Sequence, residues 1–436
     1  MNQPVLTSET LYRKRDTRTD VFRALALLTI FINHIPGTVY EYITHKHFGF
    51  SDSAEAFVLI SGIAVGLAYG SKFNAGNRFL LILKMWRRVL TLYSAHMLTT
   101  FATLAIFCGA ALFMHHPEFL SRINIDAVIR EPAKTLLGIV ILGHQLGYNN
   151  VLPLYMVLML AAPLMLYLAN RNFKLLLVLS GMVYLFAGLF QIAPPNYPTE
   201  GVWFLNPLSW QFLFVIGMTA TIYIKRGGRM PNHPLLVAGA VSYLVLSLIW
   251  VRWNLWWIDP SLGLPHTLTG FNKTFISLPR LLHILALVYV IVVIPGLSGL
   301  ARTGTYHPLA ILGKYSLPVF ITGTILAMMA QVLKQINPGG IPYDTLLIAT
   351  GIIVQFALAY YLEWLGMIGW KGRTAMPHPA EKADGQDTGV PVAALSRANS
   401  VIEPAGVVDG KSVTVGLRTV PARSRRSRVS ASRQVS

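Results

Sequence analysis

The sequence predicts an all-α fold: a polytopic bundle of about ten transmembrane helices with a basic C-terminal tail. Three observations predict it. Of 436 residues, 54% are apolar and only 12% charged, and the mean hydropathy is +0.53; a water-soluble domain carries about twice that charged fraction. The apolar runs are about twenty residues long, the length a helix needs to cross hydrocarbon, rather than the alternating segments of about ten that build a β-barrel. Near Lys371 the runs stop abruptly, and Pro, Gly, Ala, Ser and charge replace them. This composition excludes a soluble enzyme, a disordered scaffold and a nucleic-acid-binding module as starting points.

The runs fall at 20–40, 53–71, 89–114, 150–169, 173–192, 206–224, 234–252, 279–297, 309–332 and 343–366. The stretch 134–143 is apolar but short, and reads as a re-entrant or interfacial piece. The N-terminus resembles a signal peptide, with Arg13, Lys14, Arg15 and Arg18 ahead of an apolar run. That run is interrupted by Arg23 and His34 and lacks a small-residue cleavage site, so it reads as the first membrane helix. Three regions follow: a basic cytoplasmic segment at 1–19, a membrane domain at 20–370 and a tail at 371–436.

Charge sets the orientation. With the N-terminus inside, the inner segments hold 17 Lys and Arg and the outer loops 8, the bias that favours cytoplasmic placement of both termini. The same bias and the basic tail account for the net charge of +18 without nucleic acid as a partner. The tail is too polar to bury a core and is expected to be disordered. Its end, Arg423 to Arg428, can touch anionic lipid. One cysteine, Cys108, leaves no intrachain disulfide. The histidines His45, His47, His96, His115, His116 and His283 are too scattered to argue for a metal site.

Ionisable groups inside membrane helices are costly and mark functional sites. The first run carries Asp20, Arg23 and His34. Eleven residues from Arg23 to His34 make three helical turns plus roughly 20°, so both share one face, about 16 Å apart along the axis. Asp20 and Arg23 are an i,i+3 pair. Structural readings stand beside the functional one: Arg23 can snorkel, Asp20 can cap the helix, and His34 can be a packed histidine. The common face favours the functional reading. A neutral imidazole can accept a hydroxyl proton near pH 7, and an arginine can hold phosphate or carboxylate. Pro36 and Gly37 loosen the helix just beyond His34.

The pattern Asp20-Val-Phe-Arg23, with His34 eleven residues after the arginine, resembles the Arg-x10-His signature of the acyltransferase-three superfamily of integral membrane acyltransferases. Phe57-Val-Leu-Ile-Ser61-Gly62, Lys84-Met-Trp-Arg87-Arg88 and Leu312-Gly313-Lys314-Tyr315-Ser316 resemble its later motifs in order. Within that superfamily the chain is identified as a member of the OpgC branch, the succinyltransferases of osmoregulated periplasmic glucans. The segments Phe48 to Phe57, Leu152-Pro153-Leu154-Tyr155 and Asn206 to Phe214 carry this closer match, which covers roughly residues 15–370. Asn33 stands where the branch often has an acidic residue before the histidine.

The resemblance implies a membrane-bound O-acyltransferase of the bacterial inner membrane. It would move a small acyl group, succinyl on the branch's pattern, from a cytoplasmic acyl-CoA to hydroxyls of a periplasmic glucan or related polysaccharide. No tightly bound cofactor is implied; acyl-CoA, with succinyl-CoA foremost, is the donor substrate. On this reading His34 is the general base, Arg23 steers the donor and Asp20 orients Arg23. Lys84, Arg87 and Arg88 form a landing site for an anionic CoA, although inner-face topology charge explains them too. Asp52 and Glu55 open the second helix and either orient His34, meet sugar or satisfy the helix N-terminus. Ser61 and Lys314 are further substrate-binding candidates, with helix packing and snorkelling as their structural readings. Trp253 and Trp256 in an outer aromatic cluster suit sugar stacking or an interfacial belt. The competing class is a transporter or flippase of a polysaccharide pathway, which would share the spans and the intramembrane Arg and His but commonly shows inverted repeats.

Overall fold

A computed structural model describes residues 16–374, position 262 excepted. The fold is all-α, with no strand among the described residues. Its helices are α1 Arg18–Asn33, α2 Ser53–Tyr69, α3 Arg78–Phe113, α4 Ile125–Arg130, α5 Pro132–Val140, α6 Val151–Leu189, α7 Pro207–Lys225, α8 Pro234–Arg252, α9 His266–Thr269, α10 Leu278–Val293, α11 Pro295–Leu300, α12 Pro308–Lys314, α13 Ser316–Ile336 and α14 Ile341–Thr374. Six of these, α3, α6, α7, α8, α13 and α14, are long and apolar enough to cross a membrane; α2 and α10 are shorter apolar helices. The described residues through Arg373 belong to one compact unit. The expected tail lies outside the described residues except for its first four positions, which continue α14.

Four departures from the expected runs have a local cause. The first run was expected to reach residue 40, but α1 stops at Asn33 with His34 as its cap. Pro36 has no N–H to continue the ladder and disfavours helix in the residue before it, and Gly37 follows at φ +85°. The runs at 150–169 and 173–192 join in α6, with Asn172 at non-helical φ −156° and ψ 98° between them. Asn172 Oδ1 accepts from the backbone N–H of Lys174 and Leu175, both at 3.1 Å, so it caps the second half. The run at 309–332 breaks at Tyr315 into α12 and α13. The run at 279–297 ends at Val293, ahead of Pro295. The short stretch at 134–143 forms α5, nine residues or about 13 Å of helix, less than half the hydrocarbon thickness.

The core is built on close approaches that small residues allow. A Cβ on Gly62 would stand 2.1 Å from the backbone oxygen of Phe214, and one on Gly217 would stand 2.4 Å from that of Leu59. Helices α2 and α7 therefore meet backbone to backbone, as small residues permit in membrane bundles. Around this pair α6 packs against α7, and α1 against α2, α12 and α13. Trp210, in the first turn of α7, is fully buried.

Candidate functional site

Two cavities lie along α1. The first, of about 240 Å³, is lined by Arg23, Ser61, Arg88, Tyr155 and Lys314 among others. The second, of about 190 Å³, is lined by Asn33, His34, Lys46, Asp52, Tyr148 and Lys273 among others. Val151, the first residue of α6, borders both. One helix thus presents Arg23 to one cavity and His34 to the other. The intervening wall is the start of α6, within the sequence Val151-Leu152-Pro153-Leu154-Tyr155.

At the first cavity Arg23 Nη1 donates to Asp20 Oδ1 at 3.3 Å and to the backbone oxygen of Gly313 at 3.5 Å. Asp20 is buried and Arg23 half-buried. The expected pairing of these two residues is present in the structure. Gly313 is essential to it: its lack of a side chain lets α12 come against the backbone of Asp20. Lys314 pairs with Glu363 Oε2 at 2.6 Å, so part of its charge is answered from α14. Ser61 donates its hydroxyl to the backbone oxygen of Phe57 at 2.8 Å while lining the cavity. Of the three cations expected to act together, Arg88 lines the cavity; Lys84, one turn earlier on the same side of α3, and Arg87 do not, and both are exposed. Helical rotation sets Arg87 apart, about 100° away from Arg88 around the axis.

At the second cavity the His34 ring stacks on Tyr148, with centroids 4.5 Å apart and planes at 26°. Its backbone oxygen accepts from Gln331 Nε2 at 2.6 Å, which satisfies a helix-terminal carbonyl. Nδ1 is buried without a hydrogen-bond partner among the described residues, and the residue lines the cavity. Asn33 accepts from the Thr44 hydroxyl at 2.7 Å. No hydrogen bond joins Asp52 or Glu55 to His34 among the described residues.

Asp52 and Glu55 instead form a capping box at the start of α2. Asp52 accepts from the N–H of Ala54 at 2.8 Å, and Glu55 accepts from the N–H of Asp52 at 3.0 Å. Both carboxylates then meet cations that sequence reasoning missed. Lys273 Nζ pairs with Asp52 Oδ2 at 2.5 Å, and Arg280 Nε donates to Glu55 Oε1 at 2.7 Å. Arg280 also lies 3.4 Å from Asp52. Burial would raise the Asp52 carboxyl, but Lys273 and Arg280 outweigh it and hold it well below the ordinary carboxylate range. The loop carrying Lys273 is pinned from α7 and α6. The Trp210 indole donates to the Lys273 oxygen at 3.1 Å, the Asn206 N–H to Thr274 at 3.2 Å, and the Tyr184 hydroxyl to Ile276 at 2.8 Å. The segment Asn206 to Phe214 therefore positions a residue of the second cavity from a distance.

Trp253 and Trp256 line neither cavity. Trp253 is 70% exposed, and Trp256 joins Phe50 and Phe271 in an aromatic cluster. The scattered histidines also group unexpectedly: His45 and His283 both reach the Ser51 hydroxyl, at 3.3 and 2.7 Å. Gly49 leaves room for the His283 ring, which a Cβ would strike at 1.9 Å. Arg280 gave a signal the sequence reading passed over, since it is an arginine at the mouth of an apolar run. Lys273 gave none.

The fold and these cavities define a helical membrane protein with polar chambers inside its bundle. A family model described as OpgC protein matches residues 15–367. The chain belongs to the OpgC family. No curated protein matches it.

Proposed function

We propose that this protein is an integral membrane O-acyltransferase of glucan succinyltransferase type. It takes an acyl group, succinyl foremost, from a cytoplasmic acyl-CoA and places it on hydroxyls of a periplasmic glucan or similar polysaccharide. Family membership supports the transferase class. The observation that carries the mechanism is the disposition of α1: Arg23 and His34 open onto two cavities that share Val151 as a wall. Polar chambers inside a bundle are where polar groups survive at membrane depth.

The orientation follows the charge bias, with both termini cytoplasmic in a bacterial inner membrane. Ten crossings result when the two halves of α6 count separately and α1, α2 and α10 join the remaining long helices. The cavity of Arg23, Arg88 and Lys314 then faces the cytoplasmic side and grips the donor's phosphates. Arginine suits that task, because its donors fork onto phosphate oxygens. The donor's flexible arm extends along α1 towards His34. There the acceptor hydroxyl oxygen attacks the thioester carbonyl carbon, and a C–O bond forms as the C–S bond breaks. His34 Nε2 accepts the hydroxyl proton and passes it to the departing thiolate, which leaves as a free thiol. Tyr148 stacking and the Gln331 bond to the His34 backbone hold the imidazole in place. Lys46 and Lys273 supply positive charge for an acyl group that ends in a carboxylate.

The experiment is replacement of His34 by Ala in a strain lacking the chromosomal gene, with mass spectrometry of the periplasmic glucan. The expected result is protein in the membrane and glucan without acyl substituents. Unchanged acyl content would remove His34 from the site. Unmodified glucan retained in the wrong compartment would identify a transporter instead.

A further inference from the structure

A third cavity, of about 340 Å³, adjoins the His34 chamber and shares Tyr148, Asn150 and Phe204 with it. Its character differs from that of its neighbours. Among the described residues that line it no side chain is charged. Gln145, Asn196 and Thr199 stand with Asn150 on its polar wall, and Tyr148 and Phe204 supply aromatic faces. The amides have capacity to spare. Gln145 Nε2 donates to the Leu142 oxygen at 3.2 Å, and Asn196 Nδ2 to the Glu200 oxygen at 3.3 Å, while neither Oε1 nor Oδ1 has a partner among the described residues. Each amide therefore keeps an acceptor oxygen and a second N–H open to a ligand.

No charged side chain in the lining answers an anion here, and apolar ligands would strand the amides. A neutral polyhydroxylated ligand meets both demands, because its hydroxyls donate and accept and its C–H faces lie on aromatic rings. We propose that this amide-lined cavity is the acceptor subsite, which binds a run of uncharged sugar residues and presents one hydroxyl past Tyr148 to His34. The inference rests on the acyltransferase reading for its product but not for its binding. It moves sugar recognition away from Trp253 and Trp256, which line none of the three cavities.

Full-length protein in nanodiscs, with Gln145→Leu and Asn196→Leu made singly and together, provides the test. The probe is unsubstituted glucan purified from a strain lacking the gene, with binding measured by calorimetry and transfer by mass spectrometry. The double variant should raise both the Kd and the KM for glucan by about tenfold or more, with the KM for acyl-CoA unchanged, because two sugar hydrogen bonds are lost. His34→Ala should still bind glucan at the wild-type Kd. Trp253→Ala and Trp256→Ala should leave the Kd unchanged. Glucan binding that the double variant does not weaken, or that either tryptophan variant abolishes, overturns the proposal. Binding that depends on the amides in a wild-type protein that transfers no acyl group would instead overturn the acyltransferase reading and leave the subsite standing.

Discussion

A Cβ built on Gly313 would stand 1.8 Å from the backbone oxygen of Asp20. Because the obstacle is backbone, no rotamer change relieves it, and α12 can lie against α1 only if residue 313 has no side chain. The same contact brings the Gly313 oxygen within reach of the Arg23 guanidinium. The Leu-Gly-Lys motif is therefore an architectural element as well as a source of charge.

Gly313→Ala is expected to destabilise the protein by about 1–3 kcal/mol, the usual cost of overpacking, and to lower acyl transfer by displacing Arg23. Gly239→Ala is the comparison: nothing lies within 4 Å of a Cβ there, in the middle of α8. That change should be neutral or stabilise by up to about 1 kcal/mol, since alanine is the better helix former. Thermal unfolding in detergent measures both.

The basic segment entering α3 makes a sharper prediction. Arg88 lines the first cavity, and Arg87 does not. Arg88→Ala is expected to raise the KM for acyl-CoA by about tenfold, the loss of roughly 1.4 kcal/mol of phosphate binding. Arg87→Ala should leave it within about twofold, as expected for an exposed charge with screened interactions. Steady-state kinetics with varied donor separate the two.

The Asp52 carboxyl, held below the ordinary carboxylate range by Lys273 and Arg280, predicts a pH dependence. A lowered folded-state pKa gives stability that is fully present above the ordinary value of 3.8 and is lost as pH falls through the lower folded value. Asp52→Asn keeps the helix cap, because asparagine caps as well as aspartate, but removes the charge. It should cost about 2 kcal/mol at pH 7, less than the roughly 3–5 kcal/mol of breaking a fully buried pair, because Asp52 keeps some exposure. The part of the gap in unfolding midpoint that comes from the Asp52 charge should close only as pH falls below the ordinary value. A gap that closes near pH 6 would show that another group controls it.

Gln331 fixes the chain end of α1 through the His34 oxygen. Gln331→Leu is expected to lower kcat by about tenfold through misplacement of the imidazole, with KM for both substrates little changed. A rise in either KM with unchanged kcat would assign Gln331 to binding instead of positioning.

Much of this protein is written in short-range pattern. Run length and composition specified a helical membrane protein, because hydrocarbon demands about twenty apolar residues wherever a helix crosses it. The eleven-residue spacing placed Arg23 and His34 on one face, because helical rotation is a property of the backbone alone. The i,i+3 pair of Asp20 and Arg23 followed from the same geometry. What tertiary structure alone decided lies at larger separations. Asp52 and Glu55 were legible as residues opening a helix, but not their pairing with Lys273 and Arg280, more than 200 residues away in the chain. Nor could sequence tell that Arg88 and not Arg87 meets the first cavity, that Trp253 lines none of the three, or that plain asparagines and a glutamine gather beside His34. Helical periodicity says which residues of one helix share a face; which face meets which neighbour depends on how helices pack, and that packing is set here by glycines that let backbones touch.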